Sequence, residues 1–387
     1  MSVRKHHWTT RKGEPREAWI AAYTGGDGKR HVKFFKRKKD ADAYHEGVKV
    51  DVRAGIHVAP SKSVTVREAG ALWLQSGENA ELERATLRTY QMELKNHIVP
   101  LLGNEKLSSL TTAVVRKFED KLREKGISTA TRKRLLVSLG SILADSQERG
   151  LVAQNVVRSL KRSRRGKDRR RDEREKAKLR AGVDIPTPDE IKAIIAHLNR
   201  HRPLLLTAIF TGLRASELRG LRWDDIDLKK AELHVRQRAD RFGVIGRPKS
   251  GGSERTVPLP PMLVSELREW KLRCPKGELG LAFPTSRGTV AIYQNILTRA
   301  FFPAQIAAGV VSKDGGPKYT GLHSLRHFFA SWCINRKADG GLELPLKVVQ
   351  ERLGHSTITL TADRYSHLFP RGDDGGELAA AEKLLLA

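Results

Sequence analysis

Apolar residues along the first sixty positions come in short strand-like runs. Trp19-Ile20-Ala21-Ala22-Tyr23 and His31-Val32-Lys33-Phe34-Phe35 read as two strands, and Thr24-Gly25-Gly26-Asp27-Gly28 between them is turn chemistry. Lys38-Lys39-Asp40-Ala41 opens a helix that carries Ala43, Tyr44 and Val48 on one side. Residues 1–60 therefore predict a small sheet backed by one helix. From 65 to 160 the spacing is helical throughout. Thr65-Val66-Arg67-Glu68 is a capping box, with Ala69, Leu72 and Trp73 following. Leu87, Tyr90, Leu94 and Ile98 mark a second helix, stopped by Pro100. Val114, Val115, Phe118 and Leu122 mark a third, ended by Gly126. Leu135, Leu136, Leu139, Ile142 and Leu143 mark a fourth.

The pattern then breaks. Lys161 to Arg180 holds twelve Lys or Arg against four Asp or Glu and almost nothing apolar, so residues 161–182 read as a basic linker. It serves either as a tether along a polyanion or as a plain spacer. Thr187-Pro188-Asp189-Glu190 then combines an N-cap, a first-turn proline and a capping glutamate, opening a domain predicted over 183–370. Helices run through Leu206 and Ser216 to Leu221. A β-rich patch follows, Glu232 to Arg236 and Arg255 to Leu259, around the turn Pro248-Lys249-Ser250-Gly251-Gly252. From Gln294 the chain returns to helix. Within the tail, 371–387, Gly376 to Leu386 reads as a short, largely apolar helix. No repeat of solenoid period is visible. The fold class is multidomain α+β: a small sheet-plus-helix domain, an all-α domain, and a mainly α domain with a small β-sheet.

Composition narrows the function. At 387 residues the chain exceeds one ordinary core, and 39% hydrophobic with 30% charged residues is a folded protein's balance. Lys plus Arg number 72 against 44 Asp plus Glu, a net charge of +28. An excess of that size, spread along the whole chain, fits a long nucleic-acid footprint better than one small anionic substrate. Arg116, Lys117, Arg132, Lys133 and Arg134 on the predicted helices are either DNA contacts or solvated charge. The most apolar run, Pro203 to Phe210, is too short to span a bilayer, and Met1 to Pro15 lacks the apolar core of a signal peptide. The two cysteines, Cys274 and Cys333, make neither a disulfide framework nor a CxxC zinc pattern, which fits a reducing cytoplasm.

Five stretches carry candidate chemistry. Thr211-Gly212-Leu213-Arg214-Ala215-Ser216-Glu217-Leu218 puts Arg214 at a helix junction, and Lys249 sits in the glycine-rich turn. His323-Ser324-Leu325-Arg326-His327 opens a helix whose buried face is Leu325, Phe328, Phe329 and Trp332. Leu353-Gly354-His355-Ser356 is a tight turn, and Tyr365 lies ten residues beyond its histidine. His323 and His327 have the spacing of two zinc ligands, but the metalloprotease glutamate is missing and an arginine stands between them. A metal is therefore rejected. The set suits a phosphodiester under attack, which becomes a more highly charged phosphorane. Two arginines can grip its oxygens bidentately. A tyrosine, weak at its ordinary pKa, needs a base and cations nearby. A histidine and a lysine can share the proton transfers.

The order Arg, Lys, His-x-x-Arg, Gly-His, Tyr resembles the signature of the tyrosine recombinases, the phage integrase family. The catalytic resemblance covers Ile185 to about Phe369; residues 65–160 resemble the family's SAM-like core-binding domain. The first sixty resemble the arm-type DNA-binding domain of lambda-type integrases. The resemblance implies that Tyr365 attacks the scissile phosphate, forming a 3′-phosphotyrosyl link and a free 5′ hydroxyl. It implies that Arg214 and Arg326 hold the phosphate oxygens, Lys249 protonates the leaving oxygen, His323 serves the phenol proton, and His355 hydrogen-bonds the phosphate. Glu217 would buttress the site; Lys229, Lys230 and Lys271 compete for the lysine role. No metal and no nucleotide cofactor is implied. The implied partners are double-stranded DNA at core and arm sites, three further copies in a homotetramer passing through a Holliday junction, and accessory DNA-bending or directionality proteins. The C-terminal helix either docks on a neighbouring subunit or packs on its own domain. An integrase of a phage or integrative element is favoured over a chromosome-dimer resolvase. The rival classes are a type IB topoisomerase and a regulator that has lost catalysis.

Overall fold

The chain opens with a strand that the apolar pattern does not announce. The computed structural model describes residues 2–10, 13–25, 28–53, 63–160, 178–199, 201–248, 254–369 and 374–386. They fall into two units, Met1–Arg164 and Arg165–Ala387. In the first, β1 (Ser2–Thr9), β2 (Pro15–Thr24) and β3 (Arg30–Phe35) form an antiparallel sheet in that order. β1 pairs Ser2 with Ala22 and Trp8 with Arg16. As an edge strand its residues are mostly polar, so alternation gives no signal there. Helix α1 (Lys38–Arg53) covers one face, with Ala41 and Val48 buried and Tyr44 against Phe35 and Tyr23. Ala43, expected inward, is exposed, because α1 turns its Ala41, Tyr44 and Val48 line to the sheet. On the other face the central strand is buried at Ile20 and Ala22, while the flanking strands carry exposed Val32 and Phe34. There His6, Trp8 and Phe34 make ring contacts at 5.7 and 5.9 Å between centroids, and Phe34 is 55% exposed.

The helices of this unit are α2 (Val66–Asn79), α3 (Arg84–Glu93), α4 (Val99–Leu102), α5 (Thr112–Glu124) and α6 (Thr129–Glu148). The Thr65–Glu68 capping box forms in both directions. Pro100 does not stop the second helix. A π-turn at Leu94–Ile98 joins α3 to α4, and its widened register accommodates a residue with no N–H to give. Val66, Ile98, Val115, Phe118, Leu135, Leu139 and Ile142 meet in the core. Burying each such side chain stabilises by roughly 1.5–3 kcal/mol. Glu93 is buried beside them, accepting from Ser138 and paired with Arg134. The basic stretch expected as a linker lies largely outside the described residues, since 161–177 are not among them.

The second unit begins with α7 (Pro188–Ala196), closed by the expected Thr187–Glu190 capping box. Then come α8 (Arg202–Thr211) and α9 (Ala215–Gly220). Strands β4 (Ile226–Asp227), β5 (Glu232–Val235) and β8 (Arg255–Pro258) form an antiparallel sheet, and β6 (Arg238–Ala239) pairs with β7 (Ile245–Gly246). Helix returns earlier than Gln294: α10 (Pro261–Arg273) follows β8 directly, started by the Pro260-Pro261 pair. Next are α11 (Tyr293–Ile296), α12 (Phe302–Ala307), α13 (His323–Ile334), α14 (Leu346–Leu353), α15 (Ile358–Tyr365) and α16 (Asp374–Leu386). Helix α13 runs through the middle of the unit. Its residues 324–330 are all buried, Leu325 and Phe328 in one core cluster and Phe329 and Ala330 in another, while Trp332 is only half-buried. A helix apolar on all sides has no solvent face, so its few polar side chains must find partners inside.

Candidate active site

Two helix ends gather the arginines. An α-helix leaves its last carbonyls without intrahelical donors. Helix α8 stops at Gly212 and α14 at Gly354, each in the left-handed region at φ 60° and 63°. Arg326, inside α13, donates from Nη1 to the Gly212 carbonyl at 2.7 Å and from Nη2 to the Leu353 carbonyl at 2.5 Å. Arg214 Nη2 donates to the Gly354 carbonyl at 2.9 Å, and Arg255 Nε to the Arg352 carbonyl at 2.7 Å. Three consecutive carbonyls thus each take a different guanidinium, at the helix end where the macrodipole favours cations. Both glycines are required. A Cβ on Gly212 would stand 2.4 Å from the Phe329 ring, and one on Gly354 would stand 2.8 Å from Arg255 Nη1.

Glu217 ties two of the three together. Its carboxylate accepts from Arg214 Nη1 at 2.6 Å and the Arg214 backbone N–H at 2.9 Å, and from Arg255 Nη2 at 2.8 Å. Burial alone would raise its pKa. The charges of Arg255 and Arg214, with their hydrogen bonds, outweigh that and hold it at about 2. Arg326 is 2% exposed, and its burial, with Arg214 alongside, pulls it down to about 9, still charged at neutral pH.

Tyr365, at the end of α15, is 1% exposed. Its hydroxyl meets Nδ1 of His327 at 2.7 Å. His323 stands edge-on to His327, their ring centroids 4.6 Å apart, and no described hydrogen bond joins His323 to Tyr365. His355 lies parallel to the phenol ring at 6.3 Å and shares a 2.9 Å hydrogen bond with Thr361 Oγ1. Burial pushes Tyr365 up to about 12. Burial and neighbouring arginines push His323 down to about 4, and His327 and His355 down to about 3. The three imidazoles are therefore neutral at physiological pH, and the phenol keeps its proton.

The structure brings Arg214, His323, Arg326, His355 and Tyr365 into one place. Lys249 lies outside the described residues. Of its competitors, Lys229 and Lys230 give their backbone N–H groups to Asp227, and Lys271 lies over the Trp223 ring at 5.3 Å. Two residues go unsuspected in the sequence. Arg255 pairs across the sheet with buried Val235, two positions before buried Val257, so a charge occupies an inward-facing strand position. His327 reads as an adjunct of His323 until the fold points its ring at the phenol. The arrangement can seat an oxyanion among guanidinium groups and deprotonate a tyrosine beside it.

This scaffold has known kin. Residues 186–371 match the model of the phage integrase family, and residues 65–123 match the phage integrase N-terminal SAM-like domain. The chain belongs to the phage integrase family, the tyrosine recombinases, enzymes that cut and rejoin DNA. Among individual relatives it is 29% identical over 363 residues to a XerC-like tyrosine recombinase of Caldanaerobacter subterraneus subsp. tengcongensis, covering 87% of each chain. It is 25% identical to an integrase of Mycobacterium phage D29, covering 92% of each. A solved lambda integrase tetramer bound to a Holliday junction shares the fold, with a TM-score of 0.56 at 17% identity over 91% of this chain and 96% of that one.

Proposed function

We propose that this chain integrates or excises a phage or other mobile element by site-specific recombination, with Tyr365 as the nucleophile. The observation that carries the reading is the buried phenol beside arginines already gathered on the α14 carbonyls. Tyr365 attacks the scissile phosphate and forms a 3′-phosphotyrosyl link with a free 5′ hydroxyl. Arg214 and Arg326 turn their remaining N–H groups to the phosphate oxygens, and His355 donates to the same phosphate. Lys249 protonates the leaving oxygen. Because the link conserves the energy of the broken bond, rejoining needs neither metal nor nucleotide.

Residues 65–160 bind the core site, 183–370 carry the chemistry, and 161–182 join them. Residues 1–60 are an arm-type DNA-binding domain, whose sheet face opposite α1 presents Arg4, His6, Trp8 and Phe34 along its flanking strands. Four copies work together on a Holliday junction, as the lambda integrase structure does. The helix α16, with Leu384, Leu385 and Leu386 at 82, 85 and 76% exposure, docks on a neighbouring subunit. Accessory DNA-bending or directionality proteins complete the assembly.

The test is a selection. Full-length protein is incubated with a random nicked-duplex library, and SDS-resistant adducts are recovered and sequenced. One core sequence should emerge from wild type and nothing from Tyr365→Phe. Adduct from the Phe variant would overturn the nucleophile. Relaxation of any supercoiled plasmid without sequence preference would make the protein a type IB topoisomerase, and binding without adduct would make it a regulator.

A further inference from the structure

We infer that His327, the residue after the His-x-x-Arg motif, is the group that takes the proton of the Tyr365 phenol. The inference rests on Tyr365 being the nucleophile and adds its base. Three observations carry it. The His327 Nδ1 to Tyr365 hydroxyl distance is 2.7 Å, and both residues are buried, at 7 and 1% exposure, so water does not compete for the bond. His323, which the family resemblance names for this role, is exposed, stands edge-on to the His327 ring with centroids 4.6 Å apart, and makes no described hydrogen bond to the phenol. His355 is engaged through its Nδ1 with Thr361. Of the three imidazoles around the phenol, His327 alone makes a described bond to the reacting oxygen.

The step balances. The phenol O–H bond breaks and its proton passes to Nδ1, leaving an imidazolium. The freed oxygen bonds to phosphorus as the bond from phosphorus to the 5′ oxygen breaks, and that oxygen takes a proton from the leaving-group acid. On rejoining, each transfer reverses and the imidazolium returns its proton to Tyr365.

The surroundings make this step wait for substrate. In the free chain the proton stays on oxygen, since burial holds the phenol near 12 and the imidazole near 3. Besides burial, His327 is held down by His323, Arg364, Arg326 and His355. A phosphate seated on the arginines offsets their positive charge, which raises the basicity of His327. The same phosphate also offsets the arginine charge that lowers the phenol, so the proton leaves as the phenol oxygen bonds to phosphorus rather than beforehand.

The experiment compares wild type, H327N, H323N and Y365F as full chains on a nicked suicide duplex carrying the selected core site. Asparagine at 327 places an amide where Nδ1 stands, so it keeps a hydrogen bond to the phenol and cannot accept its proton. H327N should melt and bind DNA as wild type does, yet form adduct at least about 100-fold more slowly. A 5′-bridging sulfur, which leaves as a thiolate without needing a proton, should not rescue it. H323N should keep the acidic limb of the pH–rate profile. H327N within about threefold of wild type would reduce His327 to a structural partner and overturn the inference. So would rescue by the sulfur substrate, or loss of the acidic limb in H323N, which is measurable even if H327N fails to fold. Adduct formation by Y365F is a separate failure, that of the nucleophile itself.

Discussion

Glu217→Gln removes one negative charge from a point where two guanidinium groups converge. In the native site the carboxylate accepts from the Arg214 N–H, from Arg214 Nη1, and from both Nη atoms of Arg255 at 2.8 and 3.3 Å. A glutamine amide has one acceptor oxygen, and its NH2 must face one of these donors. Arg255 is 5% exposed and cannot turn to water instead. Removing one partner of a buried pair costs about 3–5 kcal/mol. Linkage gives a similar size: a carboxyl held at about 2 rather than 4.5 corresponds to about 3 kcal/mol. The folded value is depressed, so this stabilisation is complete above 4.5 and is lost as pH falls towards 2. Urea unfolding of the full chain should show Glu217→Gln less stable by about 3–5 kcal/mol at neutral pH, the gap narrowing in acid. Replacing Glu217 and Arg255 together by methionine should restore most of that loss, since apolar side chains of similar volume often equal a buried ion pair. The double variant should still form adduct far more slowly than wild type, because Arg214 then loses both of its Glu217 bonds and is held by the Gly354 carbonyl alone. A Glu217→Gln penalty below about 1 kcal/mol, or one independent of pH, would refute the reasoning.

Gly354→Ala should lose about 1–2 kcal/mol from left-handed strain alone, seen in thermal melts. It should also slow adduct formation, because the new Cβ displaces Arg255. His323, His327 and His355 all have folded pKa values depressed below 6.5, so their contribution to stability is complete above that pH and drains away as pH falls towards 3–4. Melting temperatures should fall over that window, less steeply in His355→Asn than in wild type. Trp8→Ala with Phe34→Ala should leave the melting of the second unit unchanged. The pair should weaken full-chain binding to arm-site DNA in gel shifts, while core-site cleavage proceeds at the wild-type rate.

Much of the fold was legible where local chemistry decides. The capping boxes at Thr65 and Thr187 and Gly126 after α5 mark ends that side chains or backbone freedom enforce. Strand β1 was invisible because an edge strand needs no apolar alternation, and α10 because a proline pair inside a β-rich stretch reads as a turn. At Pro100 the expected stop failed because the neighbouring turn changes register, which is a property of packing. In the site, order along the chain revealed residue types suited to a phosphorane. It could not reveal which histidine faces the phenol. His323 and His327 lie on the same helix, and only the packing of α15 chooses between them. Arg255 escaped for a related reason: its value lies in a contact with Glu217, 38 positions away.

The three carbonyls at the end of α14 have one more consequence. Each arginine must be held in place before DNA arrives, and a salt bridge is the usual means. Arg326 is instead moored to neutral oxygens on both arms, so its charge is positioned without being spent. An arriving phosphate has no carboxylate to evict from that guanidinium and little reorganisation to await. The site is thus polarised for its anion by its own backbone, which no side-chain scan would register.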